Sequence, residues 1–188
     1  MKTLFILMIF ALSANFSLAE TITTGKPLPS LAIADKGLLL LHDKEAHYRP
    51  WLSETLKGQR LVIQYISARL KPGRMNIELN DRLRAIDHPQ RCRTISIINV
   101  DDAIWGTRAF VEPELISNQK KTPKCQIIYD SAGIGLNTWG LEAKGNATIV
   151  INEQGIVEFF HEGKLSSEQM DEIIRLSTPI AQVATHTP

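Results

Sequence analysis

The sequence predicts an α/β fold in which helices pack on a partly parallel sheet, and three observations lead to this prediction. Short apolar segments rich in β-branched residues recur at 61–66, 94–100 and 126–129. Segments with helical spacing of apolar residues separate them, and a hairpin and a last helix close the chain. Strands that alternate with helices are typical of a layered α/β domain.

The first predicted element is an N-terminal β-hairpin, since Asp35-Lys36-Gly37 has the composition of a tight turn and an apolar run follows at 38–41. Residues 61–66 follow the turn Lys57-Gly58-Gln59 and are apolar without alternation. Such a run is typical of a strand buried on both faces. Near the carboxyl end, Asn152-Glu153-Gln154-Gly155 separates two further strands, as in a hairpin.

Three helices are predicted from apolar residues that recur every three or four positions. The apolar face of the first consists of Met75, Leu79, Leu83 and Ile86. The second covers residues 110–120, with an inward face of Phe110, Val111, Leu115 and Ile116. In the last helix, Ser166 and Gln169 have the spacing of a capping box, and Thr178-Pro179 ends it.

The first 19 residues have the pattern of a cleaved signal peptide. Lys2 precedes a continuous apolar run at 4–12, and Ser17-Leu18-Ala19 provides small residues for the peptidase. The run is shorter than the about 20 residues that cross a bilayer, although an uncleaved anchor is the alternative. We expect a periplasmic protein with one domain over residues 20–188 and a mobile tail from about 179.

The charges nearly cancel. Twenty-one basic and 20 acidic residues give a formal net charge of +1, and signal cleavage would remove Lys2. A balanced chain has no long-range attraction for nucleic acid or an anionic membrane surface. We read the basic run at 118–124 as the solvated end of a helix, where lysines suit the helix dipole.

Several motifs resemble the YtfJ family of periplasmic proteins. They are Asn99-Val100-Asp101-Asp102-Ala103-Ile104, Phe110-Val111, Asp130-Ser131-Ala132-Gly133, Trp139-Gly140-Leu141 and Glu162-Gly163-Lys164-Leu165-Ser166. The resemblance implies a thioredoxin-like fold of the peroxiredoxin/TlpA type, a three-layer α/β arrangement with an N-terminal β-hairpin and a C-terminal helix. It implies no established activity.

Two parts of the redox site of active thioredoxin-like proteins are missing from this sequence. Active thioredoxin-like proteins carry a reactive thiol in the loop that here spans residues 67–74, and this loop contains no cysteine. They also place a cis-proline before a late central strand, whereas residues 145–148 contain no proline. Ser67 is favoured as a helix-capping serine over a substitute nucleophile, because no activating base is visible nearby.

Cys92 and Cys125 each lie near the start of a predicted strand. If Asp101 and Asp130 mark the same edge of the sheet, the two cysteines differ by four residues along the strands, about 13 Å at ~3.3 Å per residue. A disulfide needs Cα atoms about 4.4–6.8 Å apart, so this register favours two free thiols over a bridge. If the bridge forms, we expect it to be structural and opposite the usual active site.

Ligands of α/β sheets bind beyond the carboxyl ends of the strands. The candidate ligand-binding rim there comprises Ser67, Arg69, Lys71, Arg74, Asp101, Asp102 and Trp105, with Asp130 nearby. The alternative is a structural clamp in which Arg69 pairs with Asp101 or Asp102. The three tryptophans are interpreted as packing residues rather than as a binding platform.

No metal site or cofactor is predicted. Adjacent residues of a strand, such as Asp101 and Asp102, usually point to opposite sides. The segment His42-Asp43-Lys44-Glu45-Ala46-His47 fits no zinc spacing and is interpreted as a solvated loop.

The leading functional hypothesis is a non-catalytic periplasmic binding or accessory protein, with a peptide, a protein or a small anion as its partner. The alternative is a thiol-dependent oxidoreductase that uses Cys92 or Cys125. A metal-dependent or hydrolytic enzyme with Asp101, Asp102 and histidines is a third class.

Overall fold

The computed structural model describes residues 21–43, 45–86 and 92–178, so the predicted signal peptide and the tail from 179 lie outside the described residues. Seven strands occur in these ranges: β1 (Ala32–His42), β2 (Glu45–Leu52), β3 (Leu61–Ser67), β4 (Thr94–Asn99), β5 (Gln126–Asp130), β6 (Asn146–Ile151) and β7 (Val157–Glu162). The same ranges contain five helices: α1 (Leu70–Arg74), α2 (Ile77–Ile86), α3 (Arg108–Lys121), α4 (Ile134–Trp139) and α5 (Ser167–Ser177).

The strands form one sheet in the order β2-β1-β5-β4-β3-β6-β7. The central strands β3, β4 and β5 are parallel, and every other neighbouring pair is antiparallel. The predicted α/β fold with a partly parallel sheet is confirmed. All of β6, and all of β3 except Ile66, is buried, as expected for strands that are apolar on both faces.

Apolar layers cover both faces of the sheet. On one face, Ile63 and Ile97 pack with Trp139 of α4 and with Leu56 of a short 3₁₀ turn. On the other face, α2 and α5 lie over β3 and β6, where Leu79 packs against Val62. Helix α3 lies over β1 and β5 on that same face. The result is a three-layer arrangement with two separate helical packing regions on one side.

The N-terminal hairpin is present, but its predicted turn was wrong. Gly37 lies inside β1, at an irregularity where the register with β2 shifts between Ile33 and Leu38. The chain reverses near Asp43 instead, within the segment interpreted as a solvated loop. The turn-like composition at 35–37 therefore marks an irregularity within β1, which a glycine with positive φ accommodates.

The helix predictions had mixed outcomes. The capping box of α5 is confirmed, because Gln169 N donates to Ser166 Oγ and Ser166 N donates to Gln169 Oε1. Phe110 was wrongly placed in the core; its side chain is largely exposed, while Leu115 is buried. Helix α4 was not predicted. No helix of the described ranges has the length and apolar character needed to cross a bilayer.

Candidate functional site

The loop after β3 starts with a buried serine whose side chain finds no hydrogen-bonding partner among the described residues. Ser67 ends β3, and its amide donates a 3.1 Å hydrogen bond to the Gly145 carbonyl oxygen. Its hydroxyl is buried and unpaired within the described part of the chain. The N-cap of α1 is Arg69, so the prediction that Ser67 caps this helix was wrong.

Asp102 connects the two loops of the predicted rim. Arg69 Nε donates a 2.7 Å hydrogen bond to the main-chain carbonyl oxygen of Asp102. The Asp102 carboxylate accepts from Asn99 Nδ2 at 3.1 Å and from the Lys144 amide at 2.9 Å. A clamp between the loops therefore exists, but the contact from Arg69 is to a carbonyl and not the predicted ion pair.

A groove of about 600 Å³ runs between α2 and α3 on one face of the sheet, and we call it the α2–α3 groove. Its floor consists of residues from the three central strands, namely Gln64, Ile66, Thr94, Ser96, Ile98 and Ile127. Ser67 and Arg69 line it at the carboxyl end of β3. The groove exists because α2 packs over β3 and β6 while α3 packs over β1 and β5, so that Thr94 and Ser96 of β4 stay half-buried between them and only Ile98 of β4 packs under α3 on this face.

The predicted rim residues do not all meet in this groove. Ser67, Arg69 and Arg74 line it, whereas Lys71, Asp101 and Trp105 are not among its lining residues. Asp102 reaches it only through its contact with Arg69. The predicted rim is thus divided between a groove wall and an exposed loop.

Large apolar side chains are exposed along the groove. Leu70 is 75 % exposed and Phe110 is 73 % exposed, and Ile77 and Ile104 are about half exposed. Beside them, Trp105 is 98 % exposed. The expectation that the tryptophans pack in the protein is confirmed for Trp51 and Trp139, which are buried, and wrong for Trp105. Several adjoining apolar side chains in water are typical of a binding surface.

Cys92 and Cys125 form a disulfide with a Cα–Cα distance of 5.0 Å. The register expected from Asp101 was wrong, because Asn99 pairs with Asp130 and Ile95 with Gln126. In this register Cys125 lies beside Thr94, so it is offset from Cys92 by only two residues along the strand direction. The chain before β4 covers that remaining distance. The bridge lies at the opposite strand ends from Ser67, as expected, yet both half-buried cysteines line the groove.

Asp130 has a structural role at the carboxyl end of β5. Its buried carboxylate accepts from the amides of Ile134 and Gly135 and from the Tyr65 hydroxyl, each at 2.8 Å. The Tyr65 oxygen in turn accepts from the Leu136 amide at 2.9 Å. Burial and the neighbouring Asp130 raise the pKa of Tyr65, which keeps it a neutral donor. These bonds satisfy the first amides of α4.

Sequence reasoning missed the groove floor, although β4 contained a signal. Thr94 and Ser96 alternate with the buried Ile95 and Ile97, so small polar side chains occupy one face of the first part of a central strand, before Ile98. A face packed under a helix would carry apolar residues. Among the described residues, no cluster of three or more His, Cys, Asp or Glu side chains is placed to hold a metal ion.

Comparison with solved structures identifies the fold. A putative thiol:disulfide interchange protein DsbE from Chlorobium tepidum aligns with a TM-score of 0.56 at 11 % identity, covering 84 % of this chain and 99 % of that one. A thiol peroxidase from Chromobacterium violaceum aligns with a TM-score of 0.52 at 14 % identity, covering 85 % and 88 %. The fold is therefore thioredoxin-like, as predicted.

Sequence comparison gives closer similarities. The uncharacterized protein YtfJ of Escherichia coli (strain K12) is 33 % identical over 159 residues, which are 84 % of this chain and 86 % of that protein. A Haemophilus influenzae protein is 32 % identical over the same length. Residues 22–179 match the family described as "Bacterial protein of unknown function (YtfJ_HI0045)". The chain therefore belongs to the YtfJ family.

Proposed function

We propose that this protein is a non-catalytic periplasmic binding protein, which holds a polypeptide segment of a partner in the α2–α3 groove. The observation that carries the proposal is the exposure of Leu70 and Phe110 on a groove of about 600 Å³. Large apolar side chains that remain in water in the free protein gain stability when a partner covers them.

The chemistry of the Ser67 loop supports binding rather than catalysis. In this loop, the thiol that acts in thioredoxin-like redox proteins is replaced by residues without a reactive group. The Ser67 hydroxyl has no base within hydrogen-bonding distance in the described part of the chain. A serine without such a partner is a weak nucleophile. Delivery to the periplasm is proposed from the signal-like residues 1–19.

A second candidate function is thiol–disulfide exchange at Cys92–Cys125, and it is favoured by the position of this bridge on the groove lining. In that reaction a substrate thiolate attacks one sulfur, and the other sulfur leaves as a thiolate. A second substrate thiol then releases the mixed disulfide, so the substrate dithiol is oxidised and the protein is reduced.

A binding assay with a randomised, fluorescently labelled octapeptide pool tests the first candidate. We expect saturable binding that is lost when both exposed groove residues are changed, as Leu70→Asp with Phe110→Asp. The matched control changes two exposed leucines of the hairpin, Leu40→Asp with Leu52→Asp, which lie outside the groove lining. Equal binding by both double variants would contradict the proposed site.

Redox titration separates the two candidates. Under the binding hypothesis, Cys92–Cys125 stays oxidised in glutathione buffers, as structural disulfides with potentials below about −300 mV do. The protein also leaves the rate of insulin reduction by dithiothreitol unchanged. Mass measurement after alkylation reports the state of the bridge. Reversible reduction in glutathione together with faster insulin reduction would favour the oxidoreductase.

A further inference from the structure

We infer that the segment bound in the α2–α3 groove is an extended, acidic polypeptide in which apolar side chains alternate with glutamate or aspartate. This inference rests on the proposed function and specifies the chemistry of the partner. Three properties of the groove lead to it: its width, its polar floor and the sign of its charges.

The width favours an extended chain over a helix. Helix α2 packs over the boundary between β3 and β6, and α3 packs over the boundary between β1 and β5. These two boundaries are three strand spacings apart in the sheet, which is about 14 Å at 4.8 Å per spacing. Two helices in contact are about 8–10 Å apart, so the slot is about 5 Å wider than direct packing requires. An additional helix of about 10 Å diameter does not fit there, whereas an extended chain does.

The length agrees with a short segment. The floor strand β4 spans Thr94 to Asn99, about 16 Å at 3.3 Å per residue. Five or six residues of extended chain cover that distance. Its side chains would alternate in direction, and one set would contact apolar groove residues such as Leu70, Ile77 and Phe110.

The floor is half polar, which favours a peptide over an acyl chain. Gln64, Thr94 and Ser96 provide its polar half, beside Ile66, Ile98 and Ile127. The hydroxyls of Thr94 and Ser96 make no hydrogen bond within the described ranges. A peptide main chain has amides and carbonyls to pair with these hydroxyls. A hydrocarbon chain would leave the hydroxyls of Thr94 and Ser96 unpaired.

The charge of the lining selects the sign of the ligand. Four lining residues are cationic, Arg69, Arg74, Arg84 and Lys121, whereas Glu114 is the one acidic residue of the lining. Within the described part of the chain, neither Arg74 nor Lys121 takes part in an ion pair or a hydrogen bond through its side chain. Two cations without acidic partners on either side of a groove attract carboxylates and repel basic segments.

Fluorescence anisotropy with two labelled octapeptides tests the inference on the unmodified protein. One alternates leucine with glutamate, and the other alternates leucine with lysine. We expect the acidic peptide to bind at least tenfold more tightly in 50 mM salt, with a difference that shrinks as salt rises. Equal affinity for the two peptides would overturn the acidic preference, and tighter binding of the basic peptide would do so as well.

A charge-reversal variant locates the effect. Arg74→Glu with Lys121→Glu should weaken binding of the acidic peptide at least tenfold. The matched control, Lys26→Glu with Arg175→Glu, makes the same change in net charge at exposed positions outside the groove and should change binding by less than twofold. Circular dichroism melts verify that both variants fold. An equal loss in the two would show a general charge effect and contradict the assignment.

Two further arms separate failure of the inference from failure of the proposed function. If the two peptides bind equally well, and the double variant Leu70→Asp with Phe110→Asp binds neither of them, the groove binds peptides without regard to their charge. In that case only the inference fails. If neither peptide binds although the randomised pool does, only the inference fails, and if the pool does not bind either, the proposed function fails with it. Binding of tetradecanoate in place of the peptides would identify the groove as a site for an anionic amphiphile, and this result would overturn both.

Discussion

The amide of Ser67 lies 3.1 Å from the carbonyl oxygen of Gly145, and this hydrogen bond joins the loop after β3 to the start of β6. The two segments are those in which redox-active thioredoxin-like proteins carry a thiol and a cis-proline. Here they meet through the main chain, while the Ser67 hydroxyl remains buried without a partner in the described part of the chain. A buried unpaired hydroxyl reduces stability unless a ligand satisfies it.

Replacement of Ser67 with alanine should therefore leave the free energy of unfolding unchanged or raise it. The variant loses an unpaired polar atom and no hydrogen bond of its side chain. The matched control is Ser53→Ala, because Ser53 is also buried but its Oγ accepts a 2.9 Å hydrogen bond from the Leu31 amide. That change should cost about 1–3 kcal/mol, since the amide is left unpaired.

Urea unfolding followed by circular dichroism measures both variants. A loss of more than about 1 kcal/mol in Ser67→Ala would show that the hydroxyl has a stabilising partner in solution.

The Cys92–Cys125 bridge should contribute strongly to stability, because it closes a loop with a sequence separation of 33. In the chain-entropy account, a loop of this size corresponds to roughly 3–4 kcal/mol. We expect the double variant Cys92→Ala with Cys125→Ala to unfold at a correspondingly lower urea concentration. The unmodified protein in dithiothreitol should resemble this variant, and a loss below about 1 kcal/mol would contradict a stabilising role.

The register of β4 and β5 shows why the bridge was not favoured by the sequence. Asp101 and Asp130 appeared equivalent because each follows an apolar run. In the structure, Asp130 is the last residue of β5 and pairs with Asn99, whereas Asp101 lies beyond the end of β4. The end of a strand is predicted from sequence only to within a residue or two, and each residue corresponds to about 3.3 Å along the strand. That error exceeds the geometric tolerance of a disulfide.

Strands and the last helix were predictable because local signals determine them. An uninterrupted apolar run located β3, the hairpin signal at 152–155 located β6 and β7, and the Ser166 box located the start of α5. The groove was not predictable in the same way, because it depends on where two helices lie over a sheet. Phe110 illustrates this: its spacing suits an inward face, but no helix or strand of the described residues covers it, and it stays 73 % exposed beside the groove.

Gly37 should be far less tolerant of substitution than Gly25, although both have positive φ. At Gly37, a Cβ atom would lie 2.5 Å from the Arg49 carbonyl oxygen and 2.9 Å from the Trp51 amide nitrogen. At Gly25, no atom lies within 4 Å of the added Cβ. We expect Gly25→Ala to cost about 1–2 kcal/mol from backbone strain alone.

The cost of Gly37→Ala should be clearly larger, because the clash involves main-chain atoms of β2 that hold the hairpin. Thermal melts of the two alanine variants measure the difference. Similar melting temperatures would show that the hairpin adjusts around the added methyl group, and that the close approach at Gly37 is not required for the fold.

Glu112 on α3 provides a prediction about pH. Its carboxylate accepts from Lys36 Nζ at 3.0 and 2.9 Å and from the Tyr48 hydroxyl at 2.8 Å. The Lys36 ammonium also lies 4.4 Å from the ring centroid of Tyr48. The hydrogen bonds from Lys36, followed by that from Tyr48, hold the pKa of Glu112 below its usual value.

A carboxyl group whose pKa is lower in the folded state stabilises the protein at pH values above its unfolded pKa. That contribution is lost as the pH falls through the folded pKa. Glu112→Gln should therefore lower the free energy of unfolding at pH 7, by less than about 1 kcal/mol because the pair is partly exposed to solvent. The difference should begin to shrink at about pH 4.3, the usual pKa of a glutamate in the unfolded chain, and disappear only below the lower pKa that Glu112 has in the folded protein, where the carboxyl is protonated in both states.

Urea unfolding of the two proteins between pH 3 and pH 7 measures this dependence. The control is Glu114→Gln on the same helix, whose side chain has no ion pair within the described residues. This change removes an equal charge from α3, and at neutral pH the free energy of unfolding of the variant should be nearly the same as that of the unmodified protein. A stability gap between Glu112→Gln and the unmodified protein that stayed constant with pH would show that packing, and not the charge contact with Lys36, is what Glu112 contributes.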